Sequence, residues 1–289
     1  PGLRLRHWKF LEEHLPLPTL VQQEGDGALT LAWLLEQGLT EDPKKMEIIN
    51  DESEKATKEF KLEQQLTQMK EEWKPLVFDT KDYKGQPILT GTDDLQAVLD
   101  DHLVKTQTMT GSPYIKPNKL QADAWEKMLV YIQDLLDEWL LVQRDWMSLS
   151  PVFSSEDIMR QMPTEGRRFQ AVDAVFVQIM KFVIKTPVVL EVAADYASPP
   201  DKQLLSKLKK ASEFLEMIKK GLSDYLEKKR AVFPRFYFLD DEGLLMILAQ
   251  ARDPTAVQPH LNKCFDNIAR LTFERKGEPG SAEDCEISE

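Results

Sequence analysis

The chain has 289 residues, of which 42% are hydrophobic and 30% charged, with only 12 glycines. That much apolar material can bury a core, and the paucity of glycine among interspersed Glu, Lys, Asp and Arg leans helical. Its 37 Lys and Arg against 49 Asp and Glu leave a net charge of −12, which phosphate backbones repel, so nucleic acid is a poor partner.

From the N-terminus, residues 43–74 form a charged stretch carrying Met46, Ile49, Ala56, Phe60, Leu66, Met69 and Trp73. Acid-to-base pairs such as Asp51–Lys55 and Glu54–Lys58 support an exposed helix, a rod of roughly 48 Å at ~1.5 Å per residue. Two short apolar segments around Lys84-Gly85-Gln86 predict a β-hairpin near residues 75–91. Helix returns from Asp93 to Met109, with Leu95, Val98, Leu99, His102 and Met109 inward. Ser112-Pro-Tyr-Ile-Lys-Pro117 then reads as the boundary between two bundles.

Three long amphipathic helices come next. Trp125, Leu129, Ile132, Leu136, Trp139, Gln143 and Trp146 step by fours and threes, the spacing of helices packed side by side. Phe169, Val172, Phe176, Ile179 and Val183 repeat the pattern, as do Leu204, Leu208, Ala211, Leu215, Ile218, Leu222 and Tyr225. The first is expected to stop before Pro151. Ser154 and Ser155 offer side-chain oxygens to cap a short helix ending at Pro163, with Glu156 and Asp157 in its first turn. The second ends at Thr186-Pro187; Pro199-Pro200-Asp201 opens the third and Phe233-Pro234 closes it. Trp125, Trp139, Trp146, Phe169, Phe176, Leu215 and Leu222 are the expected bundle core. In Phe233-Pro-Arg-Phe-Tyr-Phe-Leu239, alternation predicts a short strand. Residues Phe233, Pro234, Arg235, Phe236, Tyr237 and Phe238 form the candidate packing or docking patch.

The expected fold is therefore mainly α, built of antiparallel helix bundles with a small hairpin and a short strand. The domains run 1–112, then 113–274, with a polar loop or tail at 275–289. No apolar run approaches the ~18 residues of a membrane span, and two cysteines 21 residues apart form no disulfide framework, so a reducing cytosol is the expected setting.

Chemistry is sparse. No phosphate-cradling GxxxxGK[ST] loop is present, and Gly25-Asp-Gly27 lacks both the third glycine of a dinucleotide fingerprint and a preceding strand, so it reads as a loop into a helix around Trp33. No GxSxG elbow occurs. His260 and Cys264, four residues apart, could share a metal but lack two further ligands; the alternative is Cys264 packing beside Phe265. Asp240-Asp241-Glu242 suits the first turn of a helix from Leu244 to Ala251 better than acid–base work. No catalytic, cofactor-binding or metal residue is assigned.

A family resemblance emerges from motifs in order along the chain. Arg6-His7-Trp8, Asp137-Glu-Trp-Leu-Leu-Val-Gln-Arg-Asp-Trp-Met147, Phe153-Ser-Ser-Glu-Asp-Ile158 and Pro163-Thr-Glu-Gly-Arg-Arg-Phe169 carry the first part. Tyr225-Leu-Glu-Lys-Lys-Arg230 leading to Leu239, then Gln258-Pro-His-Leu-Asn-Lys-Cys-Phe265, complete it. Together they resemble the linker region of dynein heavy chains, and Asp253-Pro254 through His260 resembles the axonemal type. Phe176 stands where the family usually has Trp, Asp240 replaces a frequent Ser, and Gly243 replaces an acidic residue, which should loosen the helix there by ~1 kcal/mol.

The resemblance implies an elongated helical arm acting as a lever across a ring of AAA+ ATPase modules in the same heavy chain, coupling ATP hydrolysis to force in ciliary or flagellar beating. It implies ATP and Mg in that ring with no cofactor in this segment. The implied partners are the ring, intermediate, light and other heavy chains, and microtubules indirectly, without nucleic acid or membrane; the implied setting is the axonemal cytoskeleton. Similarity that starts and stops abruptly at both ends implies a piece of a longer polypeptide. Bending is expected at Ser112–Pro117 or Ser198–Pro200. A generic helical scaffold with no nucleotide-dependent role is the competing reading.

Overall fold

A computed structural model describes residues 2–15, 42–199, 202–249, 254–268, 270–275 and 285–287. The Gly25-Asp-Gly27 stretch, the helix expected around Trp33 and Pro200 lie outside them. The described residues are mainly helical: α1 (Leu5–His14), α2 (Pro43–Trp73), α3 (Thr92–Thr110), α4 (Lys119–Phe153), α5 (Glu156–Gln161), α6 (Pro163–Lys185), α7 (Val189–Val192), α8 (Leu204–Val232), α9 (Asp241–Ala249) and α10 (Leu261–Cys264). Strands β1 (Asp79–Tyr83) and β2 (Gln86–Thr90) form an antiparallel hairpin, and β3 (Phe273–Arg275) pairs with β4 (Cys285–Ile287), which lies in the segment expected to be a polar loop or tail.

The chain divides into two compact units that alternate along the sequence. The first holds Pro1–Val77, Thr92–Gln133 and Val188–Leu190; the second holds Phe78–Gly91, Asp134–Pro187 and Glu191–Glu289. The division falls within α4, whereas the expected boundary at Ser112–Pro117 lies inside the first unit. There Ser112 caps a 3₁₀ turn, accepting from the Tyr114 N–H at 3.3 Å, and Ile115 is buried. The hairpin belongs to the second unit, not to the residues flanking it.

In the first unit α2 starts as its sequence dictates. Asp42 accepts from the Lys44 N–H at 3.0 Å and Pro43 takes the first helical position. Glu54–Lys58 pairs at 2.6 Å as expected, but Lys55 turns back to Glu52 at 3.0 Å instead of reaching Asp51. Nor is α2 simply exposed, because α1 covers one face. His7 accepts the Arg4 N–H through Nδ1 at 2.9 Å, so its Nε2 carries the proton donated to Glu59 at 2.9 Å; Arg6 donates to the same carboxylate. On the other side, Trp73 donates to His102 Nδ1 at 2.8 Å, and His102 Nε2 faces Glu72 at 3.0 Å. Trp125 packs edge-on against Trp73 with centroids 6.1 Å apart.

The second unit is organised by aromatic contacts along α4 and α6. Trp139 lies against Phe78, Trp146 stacks on Phe176 at 4.8 Å, and Phe153 stacks on Phe169 at 5.1 Å. Trp146 also donates to Asp173 at 2.9 Å. Helix α8 packs on α6, with Leu208, Leu215, Ile218 and Leu222 buried. Lys219 bonds the buried carboxylate of Asp145 at 2.6 Å; burial depresses the ammonium pKa, but the bonds to Asp145 and Glu216 outweigh it and raise the pKa.

The hairpin turns through Lys84 and Gly85, both at positive φ (53° and 83°), the geometry of a tight two-residue connection. Its second strand is held by Gln143, whose side chain accepts from the Leu89 N–H at 2.8 Å and donates to the Leu89 carbonyl at 3.0 Å. Helix α4 does not stop before Pro151 but carries it within the last turn; the proline withholds the N–H that would bond the Met147 carbonyl, and the helix ends two residues later at Phe153. Ser155 occupies the cap position of α5 without capping it; its hydroxyl donates to the Ala249 carbonyl at 3.1 Å.

Candidate docking surface

The segment after α8 is the surface singled out by its aromatics. Helix α8 ends because Pro234 pushes Phe233 into extended backbone, φ −129° and ψ 93°. The expected strand does not form beyond it. Pro234–Phe238 is a 3₁₀ turn, with Phe236 N–H bonded to the Phe233 carbonyl at 2.9 Å and Leu239 N–H to the Phe236 carbonyl at 3.1 Å.

The reason lies one turn upstream. Arg230, mostly buried, directs its guanidinium at the Phe236 carbonyl (3.4 Å), the Leu239 carbonyl (3.0 Å) and the Asp241 carboxylate (2.6 Å). A side chain thus supplies the partners that a neighbouring strand would have given. Arg235 works in the same manner from the other end, donating to the Cys264 carbonyl at 2.8 Å and lying 4.6 Å from the Phe265 ring centroid.

This turn fixes which rings face outward. Leu239 is buried and Phe236 half-buried, with Phe233 set edge-on to Phe236 at 4.8 Å. Phe233, Tyr237 and Phe238 are 39%, 55% and 69% exposed, and Pro234 and Arg235 are exposed beside them. The Tyr237 hydroxyl donates to Glu227 at 2.5 Å, which holds the phenol above its ordinary value. Asp240 bonds Lys263 at 3.3 Å, and that contact holds its carboxyl below the usual range.

Glycine at 243 is more than a weak helix former. It is buried, and a Cβ there would sit 2.9 Å from Asp240 Oδ1 and 3.3 Å from the His260 ring. Helix α9 forms regardless, its Leu244 N–H bonded to the Asp240 carbonyl at 3.0 Å. His260 is buried with both ring nitrogens unpartnered among the described residues, and burial pushes the Cys264 thiol up. Among the described residues no three His, Cys, Asp or Glu side chains converge as metal ligands.

All seven expected core residues are buried. Trp125 belongs to the first unit, while Trp139, Trp146, Phe169, Phe176, Leu215 and Leu222 belong to the second. Two residues that organise the fold receive no such role from the sequence alone. Gln143 gave a signal, being a polar residue at a core step of α4; Arg230 gave only its place in the last turn of α8, where cations commonly meet free carbonyls.

The family described as dynein heavy chain, N-terminal region 2, matches residues 1–287. The chain belongs to the dynein heavy chain family. Among curated relatives, human dynein axonemal heavy chain 1 is 42% identical over 276 residues, which cover 95% of this chain and 6% of the relative. Human dynein axonemal heavy chain 12 is 46% identical over 273 residues, covering 94% of this chain and 8% of the relative. Human dynein axonemal heavy chain 3 is 44% identical over 277 residues, with 94% and 6% covered. This dynein segment therefore spans well under a tenth of the length of these relatives. Among the described residues no helix is long and apolar enough to cross a membrane.

Proposed function

We propose that this chain is the linker of an axonemal dynein heavy chain, a mechanical lever that carries ATP-driven changes of an AAA+ ring into force on microtubules during ciliary or flagellar beating. The match to the N-terminal region of dynein heavy chains across residues 1–287 carries this reading. The helical make-up supports it, since a lever delivers only the displacement it does not absorb as internal strain. Close-packed interiors resist such deformation, and here Trp146, Phe176, Phe153 and Phe169 interleave α4 with α6.

In this reading the segment performs no catalysis and binds no nucleotide; ATP and Mg belong to the ring of the parent chain. Its partners are that ring and, through the assembled motor, intermediate, light and other heavy chains, with microtubules engaged indirectly in the axoneme. The exposed rings of Phe233, Tyr237 and Phe238 are its candidate contact with the ring, an effect that requires differential contact in different nucleotide states.

The test uses the heavy-chain motor with one fluorophore in this segment and one on the ring. Energy transfer is expected to change between the nucleotide-free, ATP-bound and ADP–vanadate states. Transfer that stays constant across all three overturns the lever and leaves a passive helical scaffold.

A further inference from the structure

Helix α8 is basic inside an acidic chain. It carries eight Lys and Arg against four Asp and Glu, whereas the whole chain has a net charge of −12. Three of the cations are engaged by the fold: Lys219 with Asp145 and Glu216, Arg230 with the 3₁₀ turn beyond the helix, and Lys229 over the Tyr225 ring at 5.2 Å. Lys207, Lys209, Lys210, Lys220 and Lys228 are exposed and form no ion pair among the described residues.

Their placement is ordered. At ~100° per residue, Lys207, Lys210, Phe214, Met217 and Lys228 share one flank of the outward surface of α8. The carboxylates Glu213, Glu216, Asp224 and Glu227 centre about a quarter-turn away. Phe214 and Met217 are 39% and 48% exposed in the middle of that flank, with lysines at either end. Gly221, between Met217 and Lys228, adds no side chain; it lies against Glu165, which Arg168 pairs at 3.8 Å.

We propose that this flank of α8 is a docking surface for an acidic amphipathic helix of another protein. The occupant sets apolar side chains on Phe214 and Met217 and carboxylates toward Lys207 and Lys210 at one end and Lys228 at the other. Lys210 to Lys228 is a span of ~27 Å, the reach of about five helical turns. An aromatic and a pliable methionine ringed by charge are the composition of a protein interface. A bilayer fits less well, because two apolar side chains offer little to insert. The proposal does not depend on the lever reading.

The experiment measures fluorescence anisotropy of a labelled helical peptide, Glu-rich with Leu and Phe at three- and four-residue spacing, titrated with this chain. Saturable binding that weakens with added salt is expected. Lys207→Glu with Lys210→Glu should weaken it ~10-fold, and Phe214→Ser with Met217→Ser should weaken it comparably. Unchanged far-ultraviolet circular dichroism of both double variants keeps a folding defect from mimicking the result. Absence of peptide binding overturns the proposal, as does equal binding by the variants or by the same peptide with Lys in place of Glu. Binding to phosphatidylserine vesicles without binding to the peptide also overturns it, in favour of a membrane surface.

Discussion

Trp139 is fully buried, and its indole N–H has no acceptor among the described residues. The ring volume and the unpaired donor pull in opposite directions, so two substitutions separate them. Trp139→Ala empties the space beside Phe78 and should cost ~3–5 kcal/mol. Trp139→Phe keeps most of the ring and removes a donor whose desolvation costs ~1–3 kcal/mol, so it should be near neutral. Urea midpoints distinguish them, and equal losses in both would refute the account. Tyr237 offers a second residue-scale check. Its bond to Glu227 raises its pKa above 10.0, so the stabilisation is complete below the unfolded value and is lost as pH rises through the folded one. Phenolate absorbance should show this tyrosine ionising at higher pH in the wild type than in Glu227→Gln, and coincident titrations would count against the bond.

At the scale of elements, the hairpin is the part most exposed to a single loss. Gln143 meets both backbone groups of Leu89, which is itself buried. Gln143→Leu leaves that N–H and carbonyl without partners and should cost ~1–3 kcal/mol, with faster amide exchange confined to β1 and β2. Loss of protection throughout α4 instead would mean that Gln143 supports the helix and not the hairpin. The long helices were legible because burial repeats at helical period, so Phe169, Phe176, Leu215 and Leu222 announce themselves. Alternating Phe236 and Phe238 were misleading, because a run that short satisfies strand alternation and a 3₁₀ turn alike. The decision between them belongs to Arg230, whose bonds reach six and nine residues ahead and leave no local pattern. Gly243 likewise looked like a weak spot until the closeness of Asp240 and His260 gave it a steric reason.

For the whole molecule, the sequence suggested consecutive domains where the structure has interleaved ones. Trp73 needs Trp125, and α2 needs Ile115 and the turn around it, so a break after residue 112 divides the first unit. A fragment of residues 1–112 should lack a cooperative melt and bind hydrophobic dye. A sharp two-state transition in that fragment would argue for an independent N-terminal domain. No local pattern could have revealed the arrangement, since periodicity records which face of a helix is buried and not which distant helix buries it. The acidic balance made nucleic acid a poor partner for the chain as a whole, yet it averaged away the basic character of α8.

Within the first unit, Leu76 and Val77 meet Val189 and Val188 in short antiparallel register. Synthesis proceeds from one end, so a ribosome must deliver residue 190 before the first unit has all its parts. Until then Trp73 and Trp125 can find each other, but the strand-like closure at Val77 has nothing to close upon. Until residue 190 emerges, the nascent polypeptide therefore carries incompletely covered apolar surface, the kind of surface that chaperones engage.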